Sequence, residues 1–106
     1  MAKYLLQGAY TVEGAKGLLK DGGSKRRAAI EAMIKGLGGR LETFYFAFGD
    51  TDVYAIVDVP DQVTASALAL TVGASGAASV KTTVLVTPEE VDQAVKKTVK
   101  YRAPGK

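Results

Sequence analysis

Ala47-Phe48-Gly49-Asp50-Thr51-Asp52-Val53-Tyr54-Ala55-Ile56-Val57-Asp58-Val59-Pro60-Asp61 is the stretch that decides the fold. A turn at Gly49-Asp50-Thr51 leads into a strand in which Val53, Ala55, Val57 and Val59 alternate with Asp52, Tyr54, Ile56 and Asp58, the period of a half-buried strand. Pro60 cannot continue a central strand, and Asp61 offers a side-chain oxygen to cap a following helix. Before the turn, residues 40–48 read as a second strand, with Phe44, Phe46 and Phe48 on one face and Leu41, Thr43, Tyr45 and Ala47 on the other. Two strands so close in sequence form a hairpin.

Working outward, residues 3–11 read as a strand with Tyr4, Leu6, Gly8 and Tyr10 on one face and Lys3, Leu5, Gln7, Ala9 and Thr11 on the other. Thr11 caps a short helix weakened by Gly14 and Gly17, and Asp21-Gly22-Gly23 breaks it. Ser24 reads as a fresh cap for a helix whose apolar stripe is Ile30, Met33, Ile34 and Leu37, ended by Gly38-Gly39. Residues 62–74 are alanine-rich and helical, with Val63, Ala67, Leu70 and Ala74 inward. Residues 78–87 form the fourth strand, Val80, Thr82, Val84 and Val86 opposing Lys81, Thr83, Leu85 and Thr87. Thr87-Pro88-Glu89-Glu90 opens a last helix with a cap, a proline and an acidic first turn. The order predicts an α+β, ferredoxin-like βαββαβ domain over residues 1–87, with an antiparallel sheet carrying its helices on one face. One extra helix lies within it, and a C-terminal helix with a basic tail occupies 88–106.

Composition removes whole classes of chemistry. The 106 residues contain no cysteine and no histidine. Disulfides, thiolate catalysis, the usual general base and the usual zinc and haem ligands go with them, so no metal site and no cofactor is expected. The net charge of +3 is concentrated at Lys25-Arg26-Arg27 and from Lys96 to Lys106, which does not argue for nucleic acid. There is no Ser-His-Asp set and no glycine-rich nucleotide fingerprint. The N-terminus has no signal-type apolar region and no run would span a bilayer, so the sequence reads as cytoplasmic, without a membrane partner. Cations on the first turn of the helix at Ser24 oppose its dipole; a bound anion would resolve the conflict, but a solvated basic helix start is the simpler reading.

The faces rich in Val and Phe must meet the helices. Lys3, Leu5, Gln7, Ala9, Thr43, Tyr45, Ala47, Tyr54, Ile56, Asp58, Lys81, Thr83 and Leu85 are left on the other side, half apolar and half polar. Such a face suits a surface shared between a second copy of the chain and a small-molecule pocket. Candidate ligand-binding residues are Gln7, Tyr45, Tyr54, Asp58 and Lys81, with Tyr45 and Tyr54 as walls and Gln7 and Lys81 as orienting groups. Asp58, with Lys81 or Lys3 as partner, is the best candidate for a catalytic base, although structural ion pairing is the leading reading for it. Asp52 stands six residues from Asp58, about 20 Å along a strand, too far for a carboxylate pair, and reads as a cap for backbone N–H groups.

Gly38-Gly39, Phe48-Gly49-Asp50-Thr51-Asp52, Asp58-Val59-Pro60-Asp61 and Lys81-Thr82-Thr83, in this order of elements, resemble the GYD domain family of the dimeric α/β-barrel, ferredoxin-like superfamily. The family's Gly-x-Tyr-Asp motif is matched at Gly49 and Asp52, with Thr51 in place of the tyrosine. The resemblance implies a homodimer or higher oligomer with facing sheets. Because the superfamily includes ligand-sensing domains and cofactor-free monooxygenases and isomerases, it implies a binding protein or such an enzyme. A purely structural assembly module, its sheet face consumed by packing and its C-terminal helix docked on a neighbour, is the alternative.

Overall fold

The computed structural model describes residues 1–106. The order is β1 (Ala2–Tyr10), α1 (Val12–Asp21), α2 (Gly23–Gly36), β2 (Arg40–Phe46), β3 (Val53–Val59), α3 (Gln62–Ala74), β4 (Ala78–Leu85) and α4 (Pro88–Ala94). The four strands form one sheet in the order β2-β3-β1-β4, antiparallel throughout. This is the ferredoxin-like α+β arrangement, with α1 as the extra helix. α2 and α3 lie on one face, and the core joins them to the sheet through Tyr4, Ile34, Val57, Val59, Ala65 and Leu68.

Helix ends follow local chemistry. The Thr11 side chain accepts from the Gly14 N–H (3.2 Å) and its hydroxyl donates to the Gly76 carbonyl (2.7 Å), tying the start of α1 to the loop before β4. Asp61 caps α3 by accepting from the Thr64 N–H and hydroxyl, both at 2.8 Å. Thr87 and Glu90 form a reciprocal capping box around Pro88. Gly38, at φ +78°, closes α2, a left-handed position that glycine occupies without steric penalty. Ser24 does not cap. α1 and α2 are separated by Gly22 alone, which takes the N-cap position of α2 and leaves Ser24 inside the helix.

The face of α2 is as expected, and three other face assignments change. The expected stripe of α2 is inward, with Ile34 fully buried and Ile30, Met33 and Leu37 packed on the core. α3 is rotated from expectation: Ala65, Leu68 and Val72 face the core, while Val63 and Leu70 are 79% and 73% exposed. This helix is apolar almost all round, so the spacing of its apolar residues could not choose a face. In β2 the strand stops at Phe46 and Phe48 leaves the core, 78% exposed and stacked on Phe46 at 6.3 Å. Within β2 a bulge lies between Leu41 and Thr43, which oppose Val57 and Ile56. One extra residue reverses the parity of everything before it, so Leu41 joins the core and Arg40 crosses to the free face.

The Cα radius of gyration is 16.8 Å and the longest axis 56 Å, against about 13 Å for the radius of a compact chain of this length. Every residue from Pro88 to Arg102 is exposed, including Val91, Val95, Val99 and Tyr101. No helix is long and apolar enough to cross a membrane.

Candidate functional site

The sheet face opposite α2 and α3 is a grid set by strand register. At one end Arg40, Asp58, Lys3 and Leu85 stand side by side across β2, β3, β1 and β4. The middle row is Thr43, Ile56, Leu5 and Thr83. The third is Tyr45, Tyr54, Gln7 and Lys81. Successive rows are two residues apart along β1, β3 and β4, about 7 Å, and the bulge makes the step from Arg40 to Thr43 in β2 three residues. Four of the five residues read from the sequence as ligand-binding therefore fall in a single row, and the fifth, Asp58, lies two rows away.

Asp58 is 8% exposed and fully engaged. Its Oδ1 receives Lys3 Nζ at 3.0 Å and its Oδ2 receives an Arg40 guanidinium nitrogen at 3.0 Å. Lys3 Nζ also donates to Glu42 at 2.6 Å, so four charges of alternating sign form a chain across three strands. Burial pushes the Asp58 carboxyl up, but hydrogen bonds from Lys3 and Arg40 outweigh it and hold it below the ordinary aspartate range. Lys3 is held above the ordinary lysine range by hydrogen bonds to Glu42 and then Asp58. A carboxylate clamped by two cations is a weak proton acceptor. Its geometry is that of a structural ion pair, with Lys3 as the partner read from the sequence and Lys81 opposite Gln7 instead.

Arg40 and Glu42 are the residues that sequence reading missed. Strict alternation from Phe44 places both on the core face, and the bulge corrects this. The signal was present: Leu41 and Phe44 are both apolar but three apart, so they share a face only if the strand gains a residue between them.

The tyrosine row is open. Tyr45 is 68% and Tyr54 38% exposed, and their rings are not stacked on one another; the ring pairs in the protein are Phe44 with Phe46 and Phe46 with Phe48. Gln7 is half-buried between Tyr54 and Lys81. None of the three principal concavities of the chain is lined by any of these four residues. Within one protomer the row is a platform.

Beyond the tyrosine row, Asp52 has the capping role expected of it, though toward β1. Its Oδ2 accepts the Tyr10 N–H at 2.8 Å, its own N–H donates to the Gly8 carbonyl, and its carbonyl receives the Ala47 N–H. The Gly49-to-Asp52 loop thus fastens the hairpin to the end of β1. Residues 4–95 match the model of the GYD domain. The chain belongs to the GYD domain family. The GYD match runs from within β1 to the end of α4. No curated protein and no solved structure matches the chain.

Proposed function

We propose that this GYD protein is a self-associating binding protein. The free sheet face packs on the same face of a second copy, and the Tyr45–Tyr54–Gln7–Lys81 row lines a pocket for a small molecule between them. The observation that supports this reading is the composition of the grid. A middle row with Ile56 and Leu5 at its centre, between Thr43 and Thr83, is flanked on one side by self-satisfied charges and on the other by two open aromatic rings with an amide and an ammonium. The middle row suits burial against a copy, and the charge row enters an interface with its partners already in place. The tyrosine row offers flat apolar walls and two hydrogen-bonding heads, a set that orients a small planar ligand with acceptor groups. Because Asp58 is committed to Lys3 and Arg40, binding is favoured over base catalysis.

Sedimentation equilibrium on the full chain tests the reading. The wild type is expected at a multiple of the 11.1 kDa chain mass, and Ile56→Lys, which puts an unpaired charge in the middle row, at the monomer mass with an unchanged circular dichroism spectrum. A wild type that stays at the monomer mass up to about 1 mM, a concentration at which even a weak dimer is populated, contradicts it.

One set of observations favours a second reading, an assembly module. Val63 and Leu70 on α3, Val84 and Val86 at the β4 edge, and Val91, Val95 and Val99 beyond it are all exposed on the helix side or the C-terminal arm. Persistence of the full oligomer mass in Ile56→Lys is the outcome that selects it.

A further inference from the structure

On the other side of the sheet, α2 lies over β2 and α3 over β4. A hollow of about 70 Å³ separates them. Ile30 and Met33 of α2 form one wall and Leu68 and Val72 of α3 the other; Gly8 and Ala55 are part of its floor. Protein interiors leave few voids larger than a water molecule, and an apolar void does not hold water well.

Gly8 is the informative floor residue. It sits within β1, where glycine weakens a strand. Its φ is not positive, so the backbone does not require glycine. A Cβ there would meet Val53 Cβ at 3.6 Å and the Ser79 carbonyl at 3.9 Å, ordinary contacts. What glycine does at this position is leave the floor of the hollow low.

Arg26 is the only charged side chain on the wall. It forms no ion pair within the chain, whereas its neighbour Lys25 reaches Asp21 at 3.7 Å. A guanidinium beside an apolar hollow presents paired N–H donors suited to a carboxylate.

We propose that the hollow between α2 and α3 binds a small monocarboxylate, its short apolar tail in the hollow and its carboxylate on Arg26. The volume is roughly half that of an engineered cavity of about 150 Å³ that accepts the six carbons of benzene, so it holds about three carbons of the tail. The site faces away from the tyrosine row, so this proposal and the sheet-face reading stand or fall separately.

The test is a titration of the full chain, methyl-labelled for NMR, with sodium pentanoate, and with 1-pentanol and pentylamine as charge controls. Pentanoate is expected to shift the methyl resonances of Ile30, Met33, Leu68 and Val72 and to saturate in the millimolar range, as fits a ligand of so few atoms. Arg26→Gln is expected to weaken pentanoate about tenfold, and 1-pentanol to bind about tenfold more weakly than pentanoate. Gly8→Val is expected to abolish the shifts while melting at or above the wild-type temperature; should it fail to fold, Ala55→Val fills the same floor. Absence of methyl shifts at about 20 mM pentanoate overturns the proposal, since that is far above the expected dissociation constant. So does an equal response to 1-pentanol or pentylamine, or an Arg26→Gln affinity unchanged from wild type.

Discussion

Gly39→Ala is expected to destabilise the fold by about 3 kcal/mol, because a methyl forced into a filled space displaces its neighbours. In a domain of this size that lowers the melting temperature by about 12–20 °C. Gly39 links α2 to β2, and a Cβ at this position would overlap the Asp58 carbonyl oxygen while standing 3.1 Å from Val59 Cγ1 and 3.2 Å from Ile34 Cγ2. Ile34 and Val59 are both fully buried, so neither has space to yield. The alternative movement, β2 lifting from β3, carries Arg40 away from Asp58. Gly17, within α1, is the control: a Cβ there meets nothing within 4 Å. Gly17→Ala is expected to stabilise by about 0.5–1 kcal/mol, the ordinary helix-propensity gain. Urea denaturation of the three proteins separates a close-packing requirement from a general aversion to alanine.

Asp58→Asn is expected to lower stability by about 1–3 kcal/mol at neutral pH, the range for losing charge-assisted hydrogen bonds at a largely buried acceptor. It also changes the pH profile. Asp58 has a depressed carboxyl pKa in the fold, so its contribution is complete above the unfolded value of about 3.9 and is lost as pH falls through the folded value. Lys3 has a raised pKa, so its contribution is complete below the unfolded value of about 10.4 and is lost as pH rises through the folded one. Wild-type stability is therefore expected to be flat through neutral pH, falling on the acid side through Asp58 and on the alkaline side through Lys3. Asp58→Asn is expected to have a shallower acid limb. What acid dependence remains comes in part from Asp61 and Glu90, lowered chiefly by the backbone N–H groups of Thr64 and Thr87. An acid limb as steep in Asp58→Asn as in wild type would show that the ion pairs of Asp58 contribute nothing to folding.

How far the fold was legible depended on how sharply each segment alternated. Residues 53–59 show a strict period of two and α2 has one clear stripe, and both face as their sequences say. α3 defeated the same method because Ala, Val and Leu surround it on every side, and burial there is decided by which face sits lowest on the sheet. Residues 40–43 defeated it because a bulge inserts one residue into an otherwise regular count, moving Arg40 and Glu42 into the charge chain. Of the candidate site, the row from Tyr45 to Lys81 was legible, since strand order and register follow from the ferredoxin-like order once the hairpin is recognised. The partners of Asp58 were only half legible: Lys3 follows from alternation, whereas Arg40 required the bulge.

Free-face packing is the claim on which the functional reading rests, and radical footprinting of the tyrosines tests it most directly. The chain carries its own standards, since Tyr4 is 3% exposed and Tyr101 is 75% exposed, close to Tyr45 at 68%. With increasing protein concentration the hydroxyl-radical reactivity of Tyr45 and Tyr54 is expected to fall toward that of Tyr4 while Tyr101 stays reactive. Tyr45 modified as fast as Tyr101 at every concentration would contradict packing through this face.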